Sequence, residues 1–198
     1  VTGWLQLNNK WYYLNAEGIM QTGWLQLNNK WYYLNAEGIM QTGWLQLDNK
    51  KYYLNAEGIM QTGWLQLNNK WYYFYESGSM AKGWVERPDG WYYTNNEGIM
   101  QTGWINISGK TYYLTSTGKM HSGWLQQGSE WYFFYESGSM VKGWVERPDG
   151  WYYTNNEGIM QTGWQTINGK KYYFYSSGLM ATNTVINGYK IGADGAVI

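Results

Sequence analysis

The chain has 198 residues with 14 acidic and 14 basic side chains, no cysteine, one histidine and aromatic residues at 20% of positions. Zero net charge without a basic cluster excludes the phosphate-neutralising surface of a nucleic-acid binder. The lack of cysteine excludes disulfide staples and thiolate chemistry, and a single histidine builds neither a zinc site of the usual kind nor a nucleophilic triad.

The first predicted element is Trp4-Leu5-Gln6-Leu7, and the second is Trp11-Tyr12-Tyr13-Leu14. Both are rich in strand-forming residues, and the short polar stretch Asn8-Asn9-Lys10 separates them. Later in the chain Asp89-Gly90, Ser108-Gly109, Asp149-Gly150 and Asn168-Gly169 occupy this stretch, and such pairs suit the positive φ of tight hairpin turns. The pair of strands therefore reads as a β-hairpin. The segment Asn15 to Gln21 that follows is predicted as coil, with Gly18 at its centre in a left-handed or otherwise strained conformation.

Residues 22–41 repeat residues 2–21 letter for letter. Gly-Trp recurs nine times at a spacing of twenty, from Trp4 to Trp164, with no insertion or deletion. A fixed period of this length means stacked supersecondary units in place of one globular core. The expected fold class is all-β, a β-solenoid or superhelix of stacked β-hairpins, one per 20-residue repeat. Residues 1–180 are read as nine tandem repeats, and 181–198, where Thr182-Asn183-Thr184 interrupts the pattern, as an atypical C-terminal capping hairpin. A longer copy is nested inside, since residues 74–104 recur at 134–164 with the single change Ala81 to Val141.

Period-2 alternation sorts the side chains. Leu5, Leu7, Tyr12 and Leu14 are assigned to the interior, and Trp4, Trp11 and Tyr13 to a groove between neighbouring hairpins. Tyr12 and its equivalents are read as core. The methionines from Met20 to Met180 all fall at one phase, and His121 is read as an exposed variant.

The motif Gly-Trp-x6-Trp-Tyr-Tyr, followed by a coil with Gly-x-Met, resembles the choline-binding repeat of surface proteins and cell-wall lysins of pneumococci, related streptococci and their phages. The resemblance covers essentially the whole chain. It implies choline bound between consecutive hairpins by two Trp of one unit and a Tyr of the next, with a Met nearby. Carried onto this chain, the implied sets are Trp4, Trp11 and Tyr33 with Met20, and Trp24, Trp31 and Tyr53 with Met40. Next come Trp64, Trp71 and Tyr93 with Met80, and Trp84, Trp91 and Tyr113 with Met100. The last are Trp124, Trp131 and Tyr153 with Met140, and Trp144, Trp151 and Tyr173 with Met160. Lys51, Thr111 and Lys171 stand where the second Trp is due, so the sets led by Trp44, Trp104 and Trp164 are expected to be impaired.

The chemistry of the rings agrees with this reading. A quaternary ammonium has no N–H to donate, and stacked ring faces offer it a negative quadrupole and dry contact. The expected function is a noncovalent anchor to phosphocholine-bearing teichoic or lipoteichoic acid on the bacterial cell surface. The alternative is a glucan- or other carbohydrate-binding aromatic repeat. No catalytic residue, metal, cofactor, nucleic acid or transmembrane segment is expected, and the sequence names no host or protein partner. Val1-Thr2-Gly3-Trp4 already lies inside the repeat, so the chain is expected to be a fragment or mature module, with any catalytic domain outside it.

Overall fold

The structure is a computed structural model that describes residues 1–198, built of strands and turns with no helix. It divides into two compact units, Val1–Gln101 and Thr102–Ile198. In the first unit five antiparallel hairpins follow one another: β1 (Gly3–Leu7) with β2 (Lys10–Leu14), β3 (Gly23–Leu27) with β4 (Lys30–Leu34), β5 (Gly43–Leu47) with β6 (Lys50–Leu54), β7 (Gly63–Leu67) with β8 (Lys70–Phe74), and β9 (Gly83–Arg87) with β10 (Gly90–Thr94). The second unit holds β11 (Gly103–Ile107) with β12 (Lys110–Leu114), β13 (Gly123–Gln127) with β14 (Glu130–Phe134), β15 (Gly143–Arg147) with β16 (Gly150–Thr154), β17 (Gly163–Ile167) with β18 (Lys170–Phe174), and the shorter β19 (Thr184–Ile186) with β20 (Tyr189–Ile191).

The turn chemistry sets the register. Asn8 and Asn9 both have positive φ, 50° and 61°, the backbone of a two-residue type I′ turn. Leu7 therefore pairs with Lys10, Gln6 with Trp11, Leu5 with Tyr12 and Trp4 with Tyr13. Proline cannot take positive φ, so the hairpin of β9 and β10 turns differently. Pro88 and Asp89 span its tip, Gly90 sits at φ 142°, and the Tyr92 hydroxyl donates to the Asp89 carboxylate at 2.7 Å.

Directly paired residues share a face. Trp4, Gln6, Trp11 and Tyr13 thus form the front of the first hairpin, and Leu5, Leu7, Tyr12 and Leu14 its back. Within each unit the hairpins stack front to back. The Trp4 ring meets Tyr32 of the next hairpin's back at 5.0 Å, and Trp24 meets Tyr52 in the same way at 5.0 Å. In the second unit Trp104 meets Tyr132 at 4.8 Å and Trp144 meets Tyr172 at 5.0 Å. Such edge-to-face pairs contribute about 0.5–1.5 kcal/mol each beyond their buried area.

Most of the largest fully buried side chains fall at one phase. Leu34, Leu54, Phe74, Leu114, Phe134 and Phe174 are fully buried. At the same phase Thr94 and Thr154 are also buried, and the hydroxyl of Thr154 is satisfied by the Val141 carbonyl at 2.9 Å. Leu7, expected in the interior, is 52% exposed, whereas Leu27, Leu47 and Leu67, at the same place in hairpins whose backs receive a preceding hairpin, are half-buried.

The coil is held by its own polar groups. The Asn35 side chain accepts from the backbone N–H groups of Glu37 at 3.1 Å and Ile39 at 2.8 Å. Gly38 has φ +76°, as its sequence position predicts, and a Cβ there would lie 2.4 Å from the sulfur of Met20. The recurrent methionine thus fills the space that the next coil's glycine leaves open. The same pair recurs as Met40 with Gly58 and Met160 with Gly178.

Candidate functional site

The front faces of six hairpins carry two tryptophans each. Trp4 and Trp11 lie 6.4 Å apart at 89°, Trp24 and Trp31 6.4 Å apart at 86°, and Trp144 and Trp151 6.1 Å apart at 86°. Trp4 is half-buried by the next hairpin, whereas Trp11 remains 39% exposed, so one ring forms the floor and the other an open wall.

The third ring comes from the back of the following hairpin. Trp4, Trp11, Tyr32 and Met40 line one cavity of about 390 Å³. Trp24, Trp31, Tyr52 and Met60 line a second of about 420 Å³. Trp144, Trp151, Tyr172 and Met180 line a third of about 360 Å³ in the second unit. Trp64 and Met100 pack with Tyr92, and Trp124 and Met160 with Tyr152, which repeats the arrangement twice more.

The structure does not bring the expected tyrosines or methionines to these cavities. Tyr33 packs against Trp24 of its own hairpin at 5.2 Å, Tyr53 against Trp44 at 5.3 Å, and Tyr93 against Trp84 at 5.1 Å. Tyr113 packs against Trp104 at 5.2 Å, Tyr153 against Trp144 at 5.1 Å, and Tyr173 against Trp164 at 5.0 Å. The reason is parity. A front-to-back stack requires the closing ring to lie on the back of its hairpin, and Tyr33 shares the front with Trp24 and Trp31. Tyr32 and its equivalents, read as core, therefore serve as cage walls. Met20, 45% exposed, tucks beneath Gly38, while Met40 reaches the first cavity. Met40 arrives there because its backbone N–H donates to the Trp11 carbonyl at 2.8 Å. The methionine partners thus shift by one repeat, so that Met100 and Met160 belong with Trp64 and Trp124, and Met80 and Met140 follow Lys51 and Thr111 through the same backbone bond.

A carboxylate also stands at the rim of each of the three cavities. Glu57 lines the first, Glu76 the second and Asp194 the third, each from the coil two repeats beyond the tryptophans or from its counterpart at the C-terminus. The Ala196 backbone N–H donates to Asp194 at 3.1 Å and is the main reason that its carboxyl is held below the usual value. A contact between alternate repeats leaves no trace in a period of twenty, so the sequence carries no sign of these carboxylates at the cavities.

Some cage tyrosines are tied by their hydroxyls. Tyr132 donates to Glu130 at 2.5 Å, and that bond is the main reason its phenol is pushed up to about 12, with burial adding to it. The Tyr152 phenol is also raised, first by burial and then by its bond to Asp149. Arg87 lies over the Tyr73 ring at 5.0 Å, and Arg147 over Phe133 at 5.2 Å. His121, expected to be exposed, is half-buried: its Nε2–H donates to the Trp124 carbonyl at 3.1 Å, and its ring stands 5.7 Å from Phe134.

Comparisons with known proteins agree with this architecture. The choline-binding repeat family matches residues 1–40, 22–61, 61–101, 122–160 and 161–191, and a second family, the cell wall binding repeat, matches 102–120. The search of curated proteins gives no match. Among solved structures, choline binding protein F from Streptococcus pneumoniae is 30% identical over 100% of this chain and 92% of its own, with a TM-score of 0.73. The same protein in the presence of a peptidoglycan analogue, a tetrasaccharide-pentapeptide, gives 30% identity over 100% and 92%, with a TM-score of 0.74. The choline-binding domain of CbpL from Streptococcus pneumoniae is 32% identical over 90% of this chain and 97% of its own, with a TM-score of 0.66. With matching repeats along nearly its whole length and hairpins stacked on paired tryptophans, the chain belongs to the choline-binding repeat family.

Proposed function

We propose that this chain anchors the protein that carries it to the bacterial cell surface, by binding the choline of phosphocholine-bearing teichoic or lipoteichoic acid in its Trp-Trp-Tyr-Met cages. The observation that carries this reading is the recurring cavity of two crossed indoles, one phenol ring from the next hairpin and a thioether, with a carboxylate at the rim. A trimethylammonium group placed there faces ring π-systems on three sides, worth roughly 0.5–2 kcal/mol each. The methionine adds polarisable contact. The rim carboxylate adds long-range attraction that salt weakens. Such a small ligand gives sites of roughly millimolar affinity.

Residues 1–180 supply the binding repeats, and 181–198 close the C-terminal end as a cap. The chain is a binding module, and the activity of any domain joined to it lies outside these residues. Titration with choline and with glucan oligomers, followed by tryptophan fluorescence, tests the reading. Choline at tens of millimolar is expected to change the emission, and glucan oligomers are not. A response to glucan alone supports the carbohydrate-binding alternative.

A further inference from the structure

Three repeats lack the second tryptophan, and the structure treats the three substitutions differently. With Lys51 in that position Trp44 is 46% exposed, and with Thr111 Trp104 is 42% exposed. With Lys171 the corresponding Trp164 stays half-buried, and so does the lysine itself, whereas Lys51 is exposed. The difference lies in where the ammonium goes. The Nζ of Lys171 lies 4.6 Å from the centroid of Trp164 and 4.1 Å from that of Tyr189. Those two rings stand edge to face at 5.2 Å, the same relation as Trp4 to Tyr32.

We infer that Lys171 is the internal ligand of the last cage, its ammonium occupying the space between Trp164 and Tyr189 that a quaternary ammonium head would take in the other cages. Both separations fall within the roughly 6 Å over which a ring face attracts a cation, and tryptophan is the strongest partner. A lysine ammonium is more strongly hydrated than a methylated one. It compensates by being tethered, since a group already on the chain loses little translational freedom on entering the cage. A half-buried position also leaves the ammonium partly solvated.

The location gives the contact its purpose. The hairpin of β19 and β20 has strands of three residues against five in every other hairpin. Backbone attachment comes from the Val197 N–H to the Lys171 carbonyl at 2.9 Å, and side-chain attachment from Met180 beneath Gly195. The ion pair of Lys170 with Asp194, 3.5 Å long with both side chains more than half exposed, adds little. The Lys171 ammonium therefore fastens the weakest hairpin through Tyr189 at all times, with or without choline, and leaves no room for choline in that cage.

Amide hydrogen exchange on the ligand-free chain tests this, with Lys171→Met, Lys171→Arg and the control Lys51→Met. Methionine keeps the unbranched stem and removes the charge. Exchange across residues 184–191 is expected to accelerate about 3- to 30-fold in Lys171→Met. It should stay near the parent rate in Lys171→Arg, and Lys51→Met should leave exchange in its own neighbourhood unchanged. Lys171→Trp, which restores the paired tryptophans, is expected to bind one more choline per chain by calorimetric titration. Unchanged exchange in Lys171→Met, or equal acceleration in Lys171→Met and Lys171→Arg, overturns the inference. The choline count rests on the proposed function, whereas the exchange experiment contains no choline, so failure of the one is distinguishable from failure of the other.

Discussion

At the residue scale, parity decides which ring does what. Tyr32 and Tyr33 are neighbours in sequence, yet one closes the cage of Trp4 and the other braces Trp24. Tyr32→Ala is expected to weaken that cage about 3- to 30-fold, while Tyr32→Phe, which keeps the ring, changes it little. Calorimetric titration with choline checks both as the loss or retention of one site. Glu57→Gln is expected to lower affinity there by about twofold to fivefold at low ionic strength, with the difference fading as salt rises. Tyr132 offers a test by pH. Its folded phenol ionises near 12, above the ordinary 10.0, so its bond to Glu130 stabilises the fold below pH 10 and loses that effect between pH 10 and about 12. Absorbance titration of the parent minus Tyr132→Phe should show one phenol ionising late. A difference phenol ionising near pH 10 contradicts that.

At the element scale, each coil is a socket for the methionine before it. Gly58 has φ +78°, and a Cβ there would lie 2.5 Å from the Met40 sulfur, whereas Gly43 at φ +75° has open space around its missing Cβ. Gly43→Ala is expected to cost about 1–2 kcal/mol from backbone strain alone. Gly58→Ala should cost roughly 1–3 kcal/mol more, because Met40 must move. Denaturant unfolding measures the difference. Because Met40 also lines the first cage, Gly58→Ala should weaken ligand binding there, and Gly43→Ala should not. The recurrent glycine was legible as a left-handed position from its place in the coil. The methionine beneath it was not, since that contact joins residues of adjacent repeats and period alone does not say which neighbour a side chain reaches.

At the scale of the whole molecule, the repeat turns weak sites into firm attachment. Linked sites that engage one polymer gain about 10²–10⁴ in apparent affinity over a single site. Retention on a choline-bearing matrix is therefore expected to fall more than additively as cages are removed, first with Trp11→Ala and then with Trp31→Ala added. Both rings are 39% exposed, so their loss should leave the stack folded. Excess free choline should elute the chain, and resistance to elution would count against noncovalent anchoring. Bound choline should also raise thermal stability in proportion to occupancy, because each ligand bridges two hairpins.

The sequence by itself determined the period of twenty, the hairpin in each unit, the turn residues and the paired tryptophans, because strand alternation and turn chemistry act over a few residues. It also led to the family, since the spacing of Gly-Trp and Trp-Tyr-Tyr is local. Only the tertiary structure decided that Tyr32 and Met40, not Tyr33 and Met20, complete the first cage, that Glu57 reaches its rim from two repeats on, and that Lys171 fills a cage while Lys51 fills none. Those outcomes depend on which face of one hairpin meets which face of the next. Identical repeats carry no mark of that choice, which is set by the packing of large rings against one another.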